Sequence, residues 1–166
     1  MSLAIRPERP EDSAAIDAVL RAAFPGAAEA DLVTRLRADG DLALSLVAED
    51  GGAIIGHIGF VPVALEPDPG YRIWGLAPLA VLPERQGQGV GSALTERGLD
   101  DAEDAGIGLV LVLGDQNYYG RFGFDTTLVA EIAVAWAGPY FAGLPLRDLP
   151  PPQGRATYPA AFAGLD

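Results

Sequence analysis

The stretch Leu79-Ala80-Val81-Leu82-Pro83-Glu84-Arg85-Gln86-Gly87-Gln88-Gly89-Val90-Gly91-Ser92-Ala93-Leu94 reads as a strand that halts at a proline, a glycine loop, and the opening of a helix. Gly87, Gly89 and Gly91 alternate at the junction, and glycine lets backbone approach a ligand closely and tolerates positive φ. A helix start leaves about four N–H groups unpaired and carries partial positive charge. Together these features make an anion site suited to a pyrophosphate. Ser92 can add a hydroxyl donor and Arg85 a positive side chain. A glycine-rich turn with no ligand is the plain alternative for three alternating glycines alone. A dinucleotide fingerprint would need glycine where Ser92 stands and a loop directly after its strand, whereas Pro83-Glu84-Arg85 intervenes. A Walker A loop needs a lysine, and the chain has none: all eleven of its basic residues other than histidine are arginine.

Working outward, Tyr71 to Leu82 is the last of three strands expected to be antiparallel. The others are Leu42 to Glu49, closed by the tight-turn signal Asp50-Gly51-Gly52, and Ala53 to Leu65, closed by Glu66-Pro67-Asp68-Pro69-Gly70. Before them come a short strand, Leu3 to Arg6, and an amphipathic helix over Glu11 to Phe24 with Ile16, Val19, Leu20 and Ala23 on one face. A second helix spans about Ala28 to Ala38. After the loop, the helix runs from about Gly89 to Ala105, where Gly106 and Gly108 end it. Leu109 to Leu113 then reads as a fully buried strand, as a parallel crossover requires. A short helical turn near Asn117 to Arg121 leads to Gly123-Phe124. Apolar segments follow at Thr127 to Ala137 and Ala156 to Phe162, separated by a Pro- and Gly-rich surface loop, Pro139 to Gly154. The expected fold class is α+β, a mixed and largely antiparallel sheet with helices on both faces, as one domain over 1–166.

Composition narrows the function. Twenty-three acids against eleven arginines give a formal charge of −12, which repels phosphate backbones and argues against nucleic-acid binding. There is no cysteine, so disulfides, Cys-ligated metals and a thiol nucleophile are excluded. His57 is the only histidine and no carboxylate cluster surrounds it in sequence, so no metal is expected. No apolar run approaches the ~18 residues of a membrane span, and the first residues lack a leader pattern. A cytoplasmic protein with no membrane partner is the expectation. Oligomeric state is open, with a homodimer as the assembly to test.

The quoted stretch resembles the main motif of the GNAT superfamily of N-acetyltransferases, matching its glutamine and glycines at Gln86, Gly89 and Gly91. About thirty residues later, Tyr118-Tyr119-Gly120-Arg121-Phe122-Gly123-Phe124 is similar to that family's second motif. With Val112-Leu113-Gly114-Asp115 and Tyr158-Pro159-Ala160-Ala161-Phe162, the chain resembles the bacterial YhbS-like branch. The resemblance covers essentially the whole chain. It implies the GNAT fold and acetyl-CoA as acyl donor, lying where the third antiparallel strand and the strand at Leu109 to Leu113 splay apart. Backbone at Leu79, Ala80 and Val81 would hold the pantetheine arm, and an N–H there would polarise the thioester carbonyl. Gln86, Gly87, Gln88, Gly89, Val90, Gly91 and Ser92 would hold the pyrophosphate.

By the same resemblance, a neutral amine on a small molecule or a protein attacks directly, and Tyr119 stands where the family places its general acid, with Tyr118 as back-up. Asn117 would bond the pantetheine or cap the short helix. The base is open. No carboxylate lies between Gly70 and Pro83. His57 has a fitting ordinary pKa of about 6.5, yet a lone histidine inside the apolar Gly56-His57-Ile58-Gly59 is more often a core residue with its nitrogens satisfied. Glu49, Asp115 and water are the remaining options. An acyl-CoA-binding module without turnover is the alternative from another class. The acceptor pocket is expected from Pro25 to Gly40 and Pro139 to Gly154, with Trp74, Trp136, Tyr140 and Phe141 as candidate lining.

Overall fold

A computed structural model describes residues 2–163. Its main sheet runs β1 (Leu3–Pro7), β2 (Leu44–Asp50), β3 (Ala53–Glu66), β4 (Arg72–Val81), β5 (Ile107–Leu113) and β7 (Phe141–Pro145). Every neighbouring pair is antiparallel except β4 with β5. The far end of β3, Ala64 to Glu66, pairs instead with β8 (Gly154–Thr157), which in turn pairs with the two-residue β6 (Ile132–Ala133).

Side chains alternate across a strand, and both faces of this sheet are apolar. Val47 and Ala80 face one way, against Ile16, Val19 and Leu20 of α1 (Ser13–Ala23) and Val33 of α2 (Ala28–Asp39). Leu46, Ala48, Ile58 and Phe60 face the other way, against Val90 and Leu94 of α3 (Val90–Asp104). Helices on both faces explain why β5 is an unbroken apolar run, buried from Ile107 to Val112. The fold is the α+β arrangement expected from the sequence.

The feature that makes a site is a parting of strands. On β4, Ala77 and Pro78 together oppose the single residue Gly59, so β4 bulges. Its pairing with β5 ends at Leu76 opposite Val112. Pro78 has no N–H to continue a ladder. Leu79 to Val81 therefore stay with β3 while β5 goes its own way, leaving a wedge between them.

Two expectations fail here. Pro139 to Gly154 is not merely a surface loop, because it contains β7. Phe141 and Ala142 are buried, and Val129 packs onto Gly143. In the apolar segment Thr127 to Ala137 a 3-10 turn and β6 form. Gly108 does not end α3; it lies within β5 under the Tyr71 ring.

Candidate active site

The wedge is lined on one side by the glycine loop. Gly87 and Gly89 have φ of +76° and +85°, which only glycine adopts without strain. Gly89 caps α3, whose first i→i−4 bond is Ala93 N–H to Gly89 C=O at 3.0 Å. The N–H groups of Val90, Gly91 and Ser92 thus open the helix without intrahelical partners. The loop is tied to β4 by Gln86, whose Nε2 donates to the Val81 carbonyl at 3.0 Å. Leu82 N–H instead donates to Ile55 on β3. Alternation then turns the backbone groups of Val81 and Leu79 toward the wedge and those of Ala80 toward β3.

This side is a cavity of about 510 Å³ lined by Leu79, Val81, Gln86, Gly87, Gly89, Val90, Gly91 and Ser92, with Arg85, Asp115, Tyr118, Tyr119 and Arg121. Ala80, Gln88 and Asn117, also expected at a cofactor site, are not in that lining. The Ala80 side chain is buried under α1, Gln88 is exposed beside Arg85, which donates to it at 3.3 Å, and Asn117 is exposed. The cap of α4 (Gln116–Tyr119) is Asp115 rather than Asn117: its Oδ1 accepts the Asn117 N–H at 2.9 Å. Although the protein is strongly acidic, two arginines face this cavity. Arg85 is paired with Asp50. Arg121 lies 4.6 Å over the Tyr118 ring and donates to Ser92 Oγ at 3.3 Å, with no ion-pair partner among the described residues.

The two tyrosines are held differently. The Tyr118 hydroxyl sits 2.8 Å from where a Cβ on Gly91 would be, and is buried with no hydrogen-bond partner among the described residues. The Tyr119 ring lies on the bare backbone of Gly114 and is braced edge-on by Tyr118 and Phe124, at 5.0 and 5.8 Å between centroids. Burial, together with Tyr118, pushes the Tyr119 phenol above its ordinary value, so it stays protonated through neutral pH.

A second cavity, about 410 Å³, opens on the other side of Leu79 and Tyr119. Its walls are Phe24, Glu29 and Leu32 from the α1–α2 region, the β4 bulge, the end of β5, and Trp136, Tyr158 and Phe162. The expected segment Pro25 to Gly40 contributes Glu29 and Leu32, but of the four expected lining aromatics only Trp136 lines it. Trp74 and Phe141 are core, Tyr140 is exposed, and Pro139 to Gly154 contributes nothing. Glu29 was not legible as a site residue, because in sequence it is an ordinary first-turn acid of a helix.

His57 is not brought to either cavity. On β3 it stands opposite Val47 and Ala80, so its ring lies beneath α1 and α2 at 0% exposure. Ser45 Oγ meets Nε2 at 2.8 Å and also bonds Glu8, which Arg37 holds at 2.8 Å. Burial pushes the imidazole down from 6.5 to about 4, the opposite of what a base near neutrality needs. Glu49 is likewise engaged elsewhere, with Arg6 at 2.7 Å. The unfolded chain takes up a proton on His57 before the folded one does. Its contribution to stability is therefore full above about pH 6.5 and is lost progressively down to about pH 4, by roughly 3 kcal/mol. Urea unfolding at pH 7.5 and 4.5 should show His57→Gln losing markedly less stability across that interval than wild type. Equal losses would dismiss the buried imidazole as the cause.

Among the described residues no group of His, Asp or Glu could hold a metal, and no helix is long and apolar enough to cross a membrane. Residues 14–124 match the model of the acetyltransferase (GNAT) family. The uncharacterized N-acetyltransferase YhbS of Escherichia coli (strain K12) is 42% identical over 135 residues, 81% of this chain and 80% of that protein. The solved structure of Escherichia coli YhbS, in complex with CoA, superposes with a TM-score of 0.92 at 38% identity, covering 100% of this chain and 94% of that one. A GNAT family acetyltransferase from Brucella melitensis, solved with acetyl-CoA, gives 0.82 at 40% identity over 96% and 97%. A family model matched across two thirds of the chain, on a strand wedge and glycine-capped helix arranged as described, leaves one assignment: this protein belongs to the GNAT family of acetyltransferases.

Proposed function

We propose that this protein is an N-acetyltransferase that passes the acetyl group of acetyl-CoA directly to an amine, with Tyr119 as general acid. The observation that carries this reading is that Leu79 and Tyr119 belong to both cavities. A phosphate-bearing donor fits the first, which has the free N–H groups of α3 and the unpaired Arg121. The relatives solved with CoA and acetyl-CoA support the same donor. Its thioester then reaches the boundary at which an acceptor in the second cavity can meet it. An outward N–H on β4, at Leu79 or Val81, would polarise the carbonyl, a contribution often worth about 3 kcal/mol. The amine nitrogen bonds to the carbonyl carbon, the C–S bond breaks, and the Tyr119 phenol protonates the leaving thiolate. The proton shed by the nitrogen passes to water, from which the phenol is restored. Tyr118 lines the donor cavity only, which is why Tyr119 is preferred as the acid.

Calorimetry with acetyl-CoA, followed by thiol release across a panel of amines, tests the reading. Binding followed by release, with N-acetylated product seen by mass spectrometry, supports it. Binding with no release would make the protein an acyl-CoA-binding module. No binding would sink both.

A further inference from the structure

The second cavity carries more information than its position. Among its lining residues Glu29 is the one charged side chain. It forms no ion pair or hydrogen bond with any described residue, whereas its neighbour on α2, Asp31, pairs with Arg21 at 3.3 Å. The rest of the wall is apolar or aromatic. Trp136, Tyr158 and Phe162 form one interlocked group, with ring centroids 4.8 to 6.1 Å apart. Tyr158 is fixed against bare backbone at Gly75, where a Cβ would lie 2.8 Å from its ring. The aromatic wall is therefore anchored to the same strand, β4, that borders the donor.

We propose that the acceptor is a primary monoamine on an apolar, aromatic-sized body, and that Glu29 recognises its positive charge before the ammonium gives one proton to water and attacks as the neutral amine. This rests on the N-acetyltransferase reading and names the substrate class of that site. A single unpartnered carboxylate suits a single ammonium, and aromatic faces add attraction for a cation while burying the apolar body. A polycation would need several carboxylates and finds one. A peptide would bring backbone amides into a wall that has few groups to bond them, at the cost of unmet hydrogen bonds. The cavity, about 410 Å³, lies within the size range of small-molecule sites.

The test uses the full-length protein with acetyl-CoA and four probes: 2-phenylethylamine, tryptamine, spermidine and a lysine-containing hexapeptide. The two arylalkylamines should show kcat/KM at least about tenfold above the others. The ion pair is open to all four, but burying an aromatic body that the others lack is worth about that factor or more. Glu29→Gln should raise the arylalkylamine KM by about tenfold, the rise outweighing any fall in kcat. Its acetyl-CoA affinity and melting temperature should be those of wild type. Glu29→Asp, which keeps the charge on a shorter arm, should recover part of the loss. Preference for spermidine or the peptide, or an unchanged KM in Glu29→Gln, overturns the inference while leaving the acetyltransferase reading standing. Acetyl-CoA binding with no amine turned over overturns both.

Discussion

Replacing Tyr119 by phenylalanine is expected to lower kcat by roughly 100-fold at pH 7, a typical loss for one positioned proton donor, while the acetyl-CoA affinity changes little. The exchange removes one oxygen from a ring braced by Gly114, Tyr118 and Phe124, so the shape of both cavities is kept. A direct pH test follows from the chemistry. A thiol titrates near about 8.5, so above that pH the leaving group departs as thiolate with little need of a donor. Amine deprotonation affects both proteins alike and cancels in the ratio of their rates. The gap between wild type and Tyr119→Phe should therefore narrow above about pH 8.5. Burial pushes the Tyr119 phenol above its ordinary value, so wild type should show no alkaline fall below about pH 10 from its loss. Equal turnover in the two proteins at pH 7 would remove Tyr119 from the mechanism.

Gly91→Val should weaken acetyl-CoA binding by at least about 100-fold, the loss of two hydrogen bonds to a charged group. The Cβ at this position would lie 2.8 Å from the Tyr118 hydroxyl, and it would project into the donor cavity at the first turn of α3. Tyr118 cannot retreat freely, because Tyr119 and Phe122 pack against its ring and Arg121 lies over it. The added bulk thus falls between the helix N–H groups and the phosphates they would bind. Calorimetry reads the effect, and a melting curve guards against a merely unfolded variant. An affinity within about threefold of wild type in a folded variant would show that the phosphates lie elsewhere.

The donor half of this site is readable from sequence because its chemistry is local. Gly87, Gly89 and the start of α3 lie within a few residues of one another, so spacing alone locates the free N–H groups. Tyr119 is reached only through the resemblance of Tyr118-Tyr119-Gly120-Arg121-Phe122-Gly123-Phe124 to the family's second motif. The acceptor half is not local. Glu29 becomes a site residue only because α2 packs beside the β4 bulge, and nothing near Glu29 in sequence encodes that packing. β7 escaped notice because Phe141-Ala142-Gly143-Leu144-Pro145 sits among prolines and glycines, and its burial depends on Val129 and β5. His57 shows the limit of residue chemistry taken without geometry. Its ordinary pKa suits a base, but the alternation along β3 sends its ring to the face covered by α1 and α2.

The border that Leu79 and Tyr119 draw also divides the chain by the way it can change. Everything that lines the cavity proposed for the donor lies between residues 79 and 121, inside the stretch matched by the family model. Trp136, Tyr158 and Phe162 lie beyond residue 124, where that match ends. Substitutions in this C-terminal wall can alter which molecule is accepted without disturbing how the acyl group is carried. On the proposed reading, a chimera that kept residues 1–124 and took its remaining segment from a relative would change the aromatic body accepted while keeping Glu29 and the donor constant.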